Sequence, residues 1–263
     1  MNCTIVTAYY NLNKKKHSTD NYLRWIKNYM NIIDAPLVVF TDCEDIGNYI
    51  LKLRNNKLNI TKIIILKITD LHCYNYIDYW KKDYDRDHEK YHDPLLYIIW
   101  NEKTMFMYKA YQKNYFNTAY FAWTDIGMVR DNKLIDIIKN NNLCFPNLEK
   151  IEKIKKDRVY LLEVEKFKKH ELEIDKFPTE IFRYEMGRCG GGVILCSNII
   201  IERWKSEYYK MLEEFIKNDY FAGKDQNIMN NIYLRYKNEL IELVEPINSP
   251  IDKWFYMLYF MCM

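Results

Sequence analysis

The sequence predicts an α/β fold: a mostly parallel central sheet flanked by helices, followed by a less regular C-terminal half. Three observations carry this expectation. Strand-like and helix-like segments alternate through the first 124 residues. Tyr120-Phe-Ala-Trp-Thr-Asp-Ile-Gly127 is an apolar run that stops at a carboxylate, as a strand does when it delivers an acid to the carboxyl edge of such a sheet. Three of the chain's seven glycines are consecutive, at 190–192, and lead into the apolar Val193-Ile-Leu-Cys196.

The elements follow in order. Cys3 to Ala8 is β-branched and apolar, a buried strand. Tyr22, Trp25, Ile26, Tyr29 and Ile33 recur at helical spacing over 20–33, and Ser18, Thr19 or Asp20 can cap that helix. Leu37-Val-Val-Phe-Thr41 is a second strand ending at Asp42; 44–54 reads as a short helix and 61–68 as a third strand. The segment 70–92, rich in Tyr, Asp and His, reads as a loop and as a candidate lid or acceptor contact. Pro94 suits the first turn of a helix running to about Gln112. A strand over 119–124 ends at Asp125. In the second half, strands are expected at 158–164, 192–196 and 240–244, with helices at 199–217 and 225–236. This order implies right-handed parallel crossovers.

Composition excludes several classes. A net charge of +3 on 39 basic and 36 acidic residues is too balanced for a nucleic-acid binder. The runs Lys14-Lys15-Lys16 and 150–169 read as solvated faces, the second being interleaved with acids. Seven scattered cysteines with no CxxC pair point to reduced thiols, a cytoplasmic compartment and no zinc site. No basic and apolar leader precedes the first strand. The apolar tail Trp254 to Met263 is half the length of a membrane span, which needs about 20 residues. It is expected in the core or docked on it, with surface anchoring to a membrane the minor reading.

The chemistry-bearing groups are few. Asp125 either caps a turn or holds a divalent cation (Mn²⁺ or Mg²⁺) against a diphosphate. Gly127, two residues on, stands where a second carboxylate would complete an Asp-x-Asp pair. Gly190, Gly191 and Gly192 are either a turn or a strand edge lying against a bound sugar. Lys224-Asp225-Gln226 is an ordinary helix start, or one that presents Asp225 and Gln226 to a reacting carbon. Thr7, Ala8 and Tyr9 end the first strand, where a base and ribose commonly sit. Lys103, on the helix before the Asp125 strand, can pair with phosphate, and Trp123 supports the Asp125 strand end. His72, His88 and His92 lie among aspartates and invite a metal reading, against which a covering loop weighs equally. No Gly-rich phosphate cradle is present, which disfavours dinucleotide oxidoreductases and P-loop enzymes.

Thr4-Ile-Val-Thr-Ala-Tyr-Tyr10, Val39-Phe-Thr-Asp42, Trp100-Asn-Glu-Lys103, Trp123-Thr-Asp-Ile-Gly127, Gly190-Gly-Gly-Val193 and Asp225-Gln226 together resemble the HtrL/YibB family, expected to be glycosyltransferases. The resemblance covers roughly 4 to 245. It implies one domain of GT-A type with a Rossmann-related sheet, divided into a nucleotide-binding half (1–130) and an acceptor and catalytic half (131–263). It further implies that Asp125 holds the metal and diphosphate, that Lys103 contacts the donor and that Asp42 belongs to the donor-side motifs. Asp225 and Gln226 would face the transferred sugar. The expected partners are a nucleotide-sugar donor, most simply a UDP-sugar, and a glycan, lipid-linked or protein acceptor, with retention of configuration. Two departures stand out: Asp-x-Gly replaces Asp-x-Asp, and the last histidine is His170, so none lies near the C-terminus. The competing reading is a non-catalytic nucleotide- or sugar-binding module with a degenerate site.

Overall fold

The structure of the chain, a computed structural model, describes residues 2–12, 17–89, 92–184 and 187–263. The Lys14-Lys15-Lys16 run lies outside the described residues.

In chain order the elements are β1 (Cys3–Tyr9), α1 (Thr19–Ile32), β2 (Leu37–Thr41), α2 (Glu44–Leu53), β3 (Thr61–Ile65), α3 (Ile77–Arg86), α4 (Pro94–Lys113), β4 (Tyr120–Thr124), α5 (Lys133–Asn140), α6 (Leu148–Glu152), β5 (Val159–Glu163), α7 (Lys169–Leu172), β6 (Cys189–Ser197), α8 (Ile201–Lys217), α9 (Asp225–Tyr236), β7 (Ile241–Val244) and α10 (Tyr256–Phe260). The seven strands form one sheet in the order β3-β2-β1-β4-β6-β5-β7. All neighbours are parallel except β6, which runs against both β4 and β5. The α/β expectation therefore holds. The chain winds outward from β1 to β3 and returns to β4 on the other side of β1. That reversal opens a crevice at the carboxyl ends of β1 and β4, where α/β sheets bind ligands.

Alternation along the strands builds a core on each face. Ile5, Leu37 and Val39 pack with α1 and with Met257, Leu258 and Met261 of the tail, so the tail is core as expected. Val6, Val38 and Phe40 pack on the other face with Phe106 of α4, Trp204 and Tyr208 of α8 and Ile228 of α9. Helix α4 is covered on nearly all sides and buries Asn101, Glu102, Lys103 and Thr104 along with its apolar residues. Ser18 caps α1, its hydroxyl accepting from Asn21 N–H at 3.3 Å. Asp93 caps α4 in the same way, with Pro94 in the first turn.

Two expectations are corrected. The segment 70–92 is mostly helical rather than a loop. Trp80 is fully buried, its indole N–H donating to Cys73 O at 2.7 Å, and Asp83 is buried with it. The indole bond ties α3 to the turn before it, and Asp83 ties it to the loop before α9 by accepting from Ala222 N–H, so a lid over 70–92 has no free segment of that length; Lys90 and Tyr91 lie outside the described residues. The glycine run lies inside β6, which begins at Cys189, not ahead of a strand starting at Gly192. All seven cysteines are free. Among the described residues no helix is long and apolar enough to cross a membrane.

Candidate functional site

The carboxyl ends of β1 and β4, the start of β6 and the start of α9 converge on a cavity of about 660 Å³. Its walls include Ala8, Tyr9, Lys103, Trp123, Asp125, Gly127, Gly190, Gly191, Gly192, Asp225 and Gln226. Eleven of the thirteen donor-side and catalytic residues expected from the sequence thus meet in one place. The other two do not reach it. Thr7 is fully buried, its hydroxyl donating to Thr124 O at 2.7 Å, and so braces β1 against β4 behind the site. Asp42 is exposed at the end of β2, outside the cavity wall.

Lys103 is the electrostatic centre. Its ammonium lies 2.8 Å from Asp225 Oδ2 and 3.3 Å from Asp125 Oδ1, and donates to Gly191 O at 2.9 Å. Burial works to lower its pKa, but the two carboxylates outweigh that, and the net shift is upward. Asp125 is pushed above the ordinary carboxylate range, by burial first and by Asp225 next, with Lys103 opposing both. About 40 % of the Asp125 side chain still faces the cavity, so solvent moderates that rise. The indole N–H of Trp123 donates to Asp125 Oδ1 at 2.8 Å, which leaves Oδ2 as the oxygen open to a ligand.

The glycines are explained by close approach and not by backbone conformation, since none of them has a positive φ. A Cβ on Gly191 would stand 2.3 Å from Asp225 Oδ2, and one on Gly192 would stand 3.1 Å from Met128 Cε. Opposite β5, the chain advances from Leu161 to Leu162 while β6 runs back from Ile194 to Gly190, so Gly191, Gly192 and Val193 bulge away from β5. The carbonyls of Gly191 and Gly192 are then free to accept from Lys103 and, at 2.9 Å, from Asp125 N–H.

The rest of the Trp100-Asn-Glu-Lys103 motif holds this centre in place. The Asn101 amide donates to Tyr97 O and Ala222 O, tying α4 to the loop before α9. The Glu102 carboxylate accepts from His72 and Cys73 N–H, which anchors the turn before α3. Asn230 Oδ1 accepts from Cys189 N–H at 2.8 Å, joining α9 to the first residue of β6.

Sequence reasoning missed several cavity residues, among them Tyr22, Trp25, Arg130, Trp254 and Phe255. The metal reading of the histidines among aspartates narrows to one cluster with the composition of a cation site among the described residues, to which Glu89 is the addition. Asp87, Glu89 and His92 have ligand atoms within 4.8 Å of one another, and Glu89 and His92 line the cavity. These groups are already engaged. His92 Nδ1 and the Tyr97 hydroxyl each lie 2.6 Å from Asp87 Oδ2, and Glu89 pairs with Lys224. Burial works to raise the Asp87 pKa, yet the hydrogen bonds from Tyr97 and His92 prevail and hold it below the usual range. His72 packs edge-on to Tyr209, away from this cluster.

The fold is that of a known glycosyltransferase structure. The crystal structure of mouse xyloside xylosyltransferase 1 in its apo form superposes with a TM-score of 0.51 over 94 % of this chain and 86 % of that one, at 10 % identity. At that identity the likeness is one of fold. No curated protein matches the chain in sequence. The model of the family described as a bacterial protein of unknown function (HtrL_YibB) matches residues 1–255. The chain belongs to the HtrL_YibB family.

Proposed function

We propose that this chain is a glycosyltransferase of GT-A type that transfers a sugar from a nucleotide diphosphate sugar, most simply a UDP-sugar, to a glycan, lipid-linked or protein acceptor. The single observation that carries the reading is the Asp125–Lys103–Asp225 centre at the mouth of the sheet crevice, beside a strand edge stripped of side chains. In this reading residues 1–130 form the donor half and 131–263 the acceptor half of one domain. Ala8 and Tyr9 meet the nucleoside, Asp125 faces the diphosphate, and the glycine stretch 190–192, which lines the cavity, borders the sugar ring.

The fit to a divalent cation is narrow. Asp125 Oδ1 is taken by Trp123 and Lys103, Asp225 Oδ2 is matched by Lys103, and Gly127 offers no side-chain ligand atom. Asp125 would hold a cation through Oδ2, the oxygen that Trp123 and Lys103 leave open, with diphosphate and water oxygens needed to complete its ligands. When bound, it neutralises charge on the leaving diphosphate.

The residues favour retention. Asp225 is held by Lys103 against the β6 edge, where its charge stabilises an oxocarbenium-like carbon. Engaged in that way, it is poorly placed as a general base. The bond between the anomeric carbon and the phosphate oxygen breaks, the acceptor oxygen bonds the same carbon on the same face, and the acceptor's proton passes to the departing phosphate. Gln226, whose side chain packs on the backbone of Gly187, borders the same space and is placed to bond a sugar hydroxyl.

Calorimetric titration with UDP, GDP and CDP, with and without Mn²⁺, tests the reading. Binding of one nucleotide, with slow donor hydrolysis or transfer, supports it. Binding with neither reaction favours a non-catalytic module, and no binding of any nucleotide removes both.

A further inference from the structure

Gly127 stands where an Asp-x-Asp pair would carry its second carboxylate, and the aromatic rings that crowd this position support a cation. A Cβ at Gly127 would lie 3.3 Å from Trp25 Cε3 and 3.3 Å from Tyr22 Cε1, so these rings occupy the space that a side chain at 127 would need. Trp25 and Tyr22 pack edge to face, 5.1 Å apart. Over Trp25, at 5.0 Å from its ring, lies the guanidinium of Arg130, which also lies 5.3 Å from the ring of Phe255. Its Nε reaches back to Gly127 O at 3.4 Å. Among the described residues Arg130 makes no ion pair, although it lines the same cavity as Asp125. The Tyr22 phenol senses both charges: burial raises its pKa first, Arg130 works against that rise, and Asp125 adds to it.

A planar cation with its faces on aromatic rings keeps its N–H edge for a ligand, and a guanidinium edge matches phosphate oxygens in pairs. We propose that Arg130, clasped by Trp25 and Phe255, is the diphosphate-binding cation of this site, so that it performs the charge neutralisation for which Asp-x-Asp enzymes rely on a carboxylate-held metal. This rests on the nucleotide-sugar reading above. Its consequence is that diphosphate binding survives removal of divalent metal.

The test is titration of wild type, Arg130→Ala and Arg130→Lys with inorganic pyrophosphate, UDP, GDP, CDP and uridine, in excess EDTA and again with Mn²⁺. Arg130 is exposed, so both variants are expected to fold, which circular dichroism verifies. In EDTA the wild type is expected to bind pyrophosphate and one nucleotide diphosphate. Arg130→Ala should weaken both by about tenfold or more, and Arg130→Lys, which keeps the charge but not the paired donors, should fall between. Uridine should bind all three proteins equally. Affinities in Arg130→Ala within twofold of wild type would overturn the assignment, as would complete loss of wild-type binding in EDTA. Arg130-dependent pyrophosphate binding without any nucleotide binding would instead remove the nucleotide-sugar donor and leave the anion site standing.

Discussion

Lys103 Nζ lies 2.8 Å from Asp225 Oδ2, joining a helix on the face of the sheet to the first turn of another helix more than a hundred residues later. Both side chains are buried, at 5 % and 7 % exposure. A second carboxylate, Asp125, shares the same ammonium. One cation thus restrains two acids that would otherwise repel each other across a cleft.

Replacing Lys103 by Met keeps the volume and removes the charge. The expected loss at pH 7 is about 3 kcal/mol, because two partly or fully buried carboxylates are left without a counter-charge. The sign with pH follows. Without Lys103 the chief opposition to the burial that raises the Asp125 pKa is gone, so the folded state holds that proton to higher pH than the unfolded chain does, and stability falls as pH rises through the acid range. In the wild type, the stability that Lys103 contributes is fully present below its unfolded value of 10.5 and is lost only as pH climbs through the raised folded value. Urea titrations of both proteins at pH 5 and pH 8 check this; equal losses at the two pH values would refute it.

Gly191→Ala should be damaging out of proportion to one methyl group. Its Cβ would stand 2.3 Å from Asp225 Oδ2, so the carboxylate or the strand must move, at about 1–3 kcal/mol. In an Asp225→Ala background the penalty should shrink by about 1 kcal/mol or more, measured as a double-mutant cycle by chemical denaturation. Additive losses would show that something other than Asp225 requires the glycine.

Asp125→Asn removes the carboxylate proposed to hold the metal. The Mn²⁺-dependent part of nucleotide affinity should vanish in calorimetry, and the melting temperature should stay within about 5 °C, since Asp125 lines a cleft and fills no core. Because burial and Asp225 raise the Asp125 pKa, the metal-dependent affinity of the wild type should decline with falling pH above the ordinary value of 3.8. Unaltered metal-dependent affinity in Asp125→Asn would move the cation elsewhere.

Asp225→Asn should separate binding from chemistry. Nucleotide affinity is expected to stay within about threefold of wild type while transfer falls by about 10²-fold or more. Proton NMR of the product from a defined donor reads the stereochemistry, for which retention is expected. An inverted centre, or turnover near wild type in Asp225→Asn, would take this residue out of the proposed role.

Asp83 provides a prediction away from the cavity. Burial pushes its pKa up to about 6 despite the Arg86 ion pair and the N–H groups of Ala222 and Gly223. A carboxyl that holds its proton longer when folded costs stability as pH rises from 3.8 to about 6, by about 3 kcal/mol in all. The stability difference between wild type and Asp83→Asn should therefore shift by about that amount toward Asp83→Asn between pH 3.5 and pH 7. A flat difference across that range would contradict it.

What could be read from sequence divides along physical lines. Asp125 was legible because a strand of apolar residues that ends in an acid has one place to put it, and the topology brings that place to the crevice. Lys103 was legible as a site residue, but its partners were not, since nothing local announces that Asp225 will lie beside it. Helix α3 was missed although Ile77, Trp80 and Tyr84 fall at helical spacing, because the acids and tyrosines between them drew the reading toward a loop. Thr7 was misplaced by the pleat: in a strand buried on both faces, the alternate side chain can brace a neighbour instead of reaching the edge. Arg130 carried no signal at all. It is a lone basic residue after a turn, and its meaning comes from Trp25 and Phe255, which only the fold brings beneath it.

The bulge in β6 has a further consequence. Strand register is ordinarily spelled out by which side chains go inward, and a slip by one position is punished because every side chain changes face. Three glycines in a row erase that spelling. Over this stretch the strand is aligned by polar clamps instead: Asn230 on the Cys189 amide, Lys103 on the Gly191 carbonyl and the Asp125 amide on the Gly192 carbonyl. Two of the three clamps belong to residues assigned to the reaction. The ruler that sets the strand and the instrument that handles the substrate are therefore the same pieces, and a lineage that altered one would have to recalibrate the other.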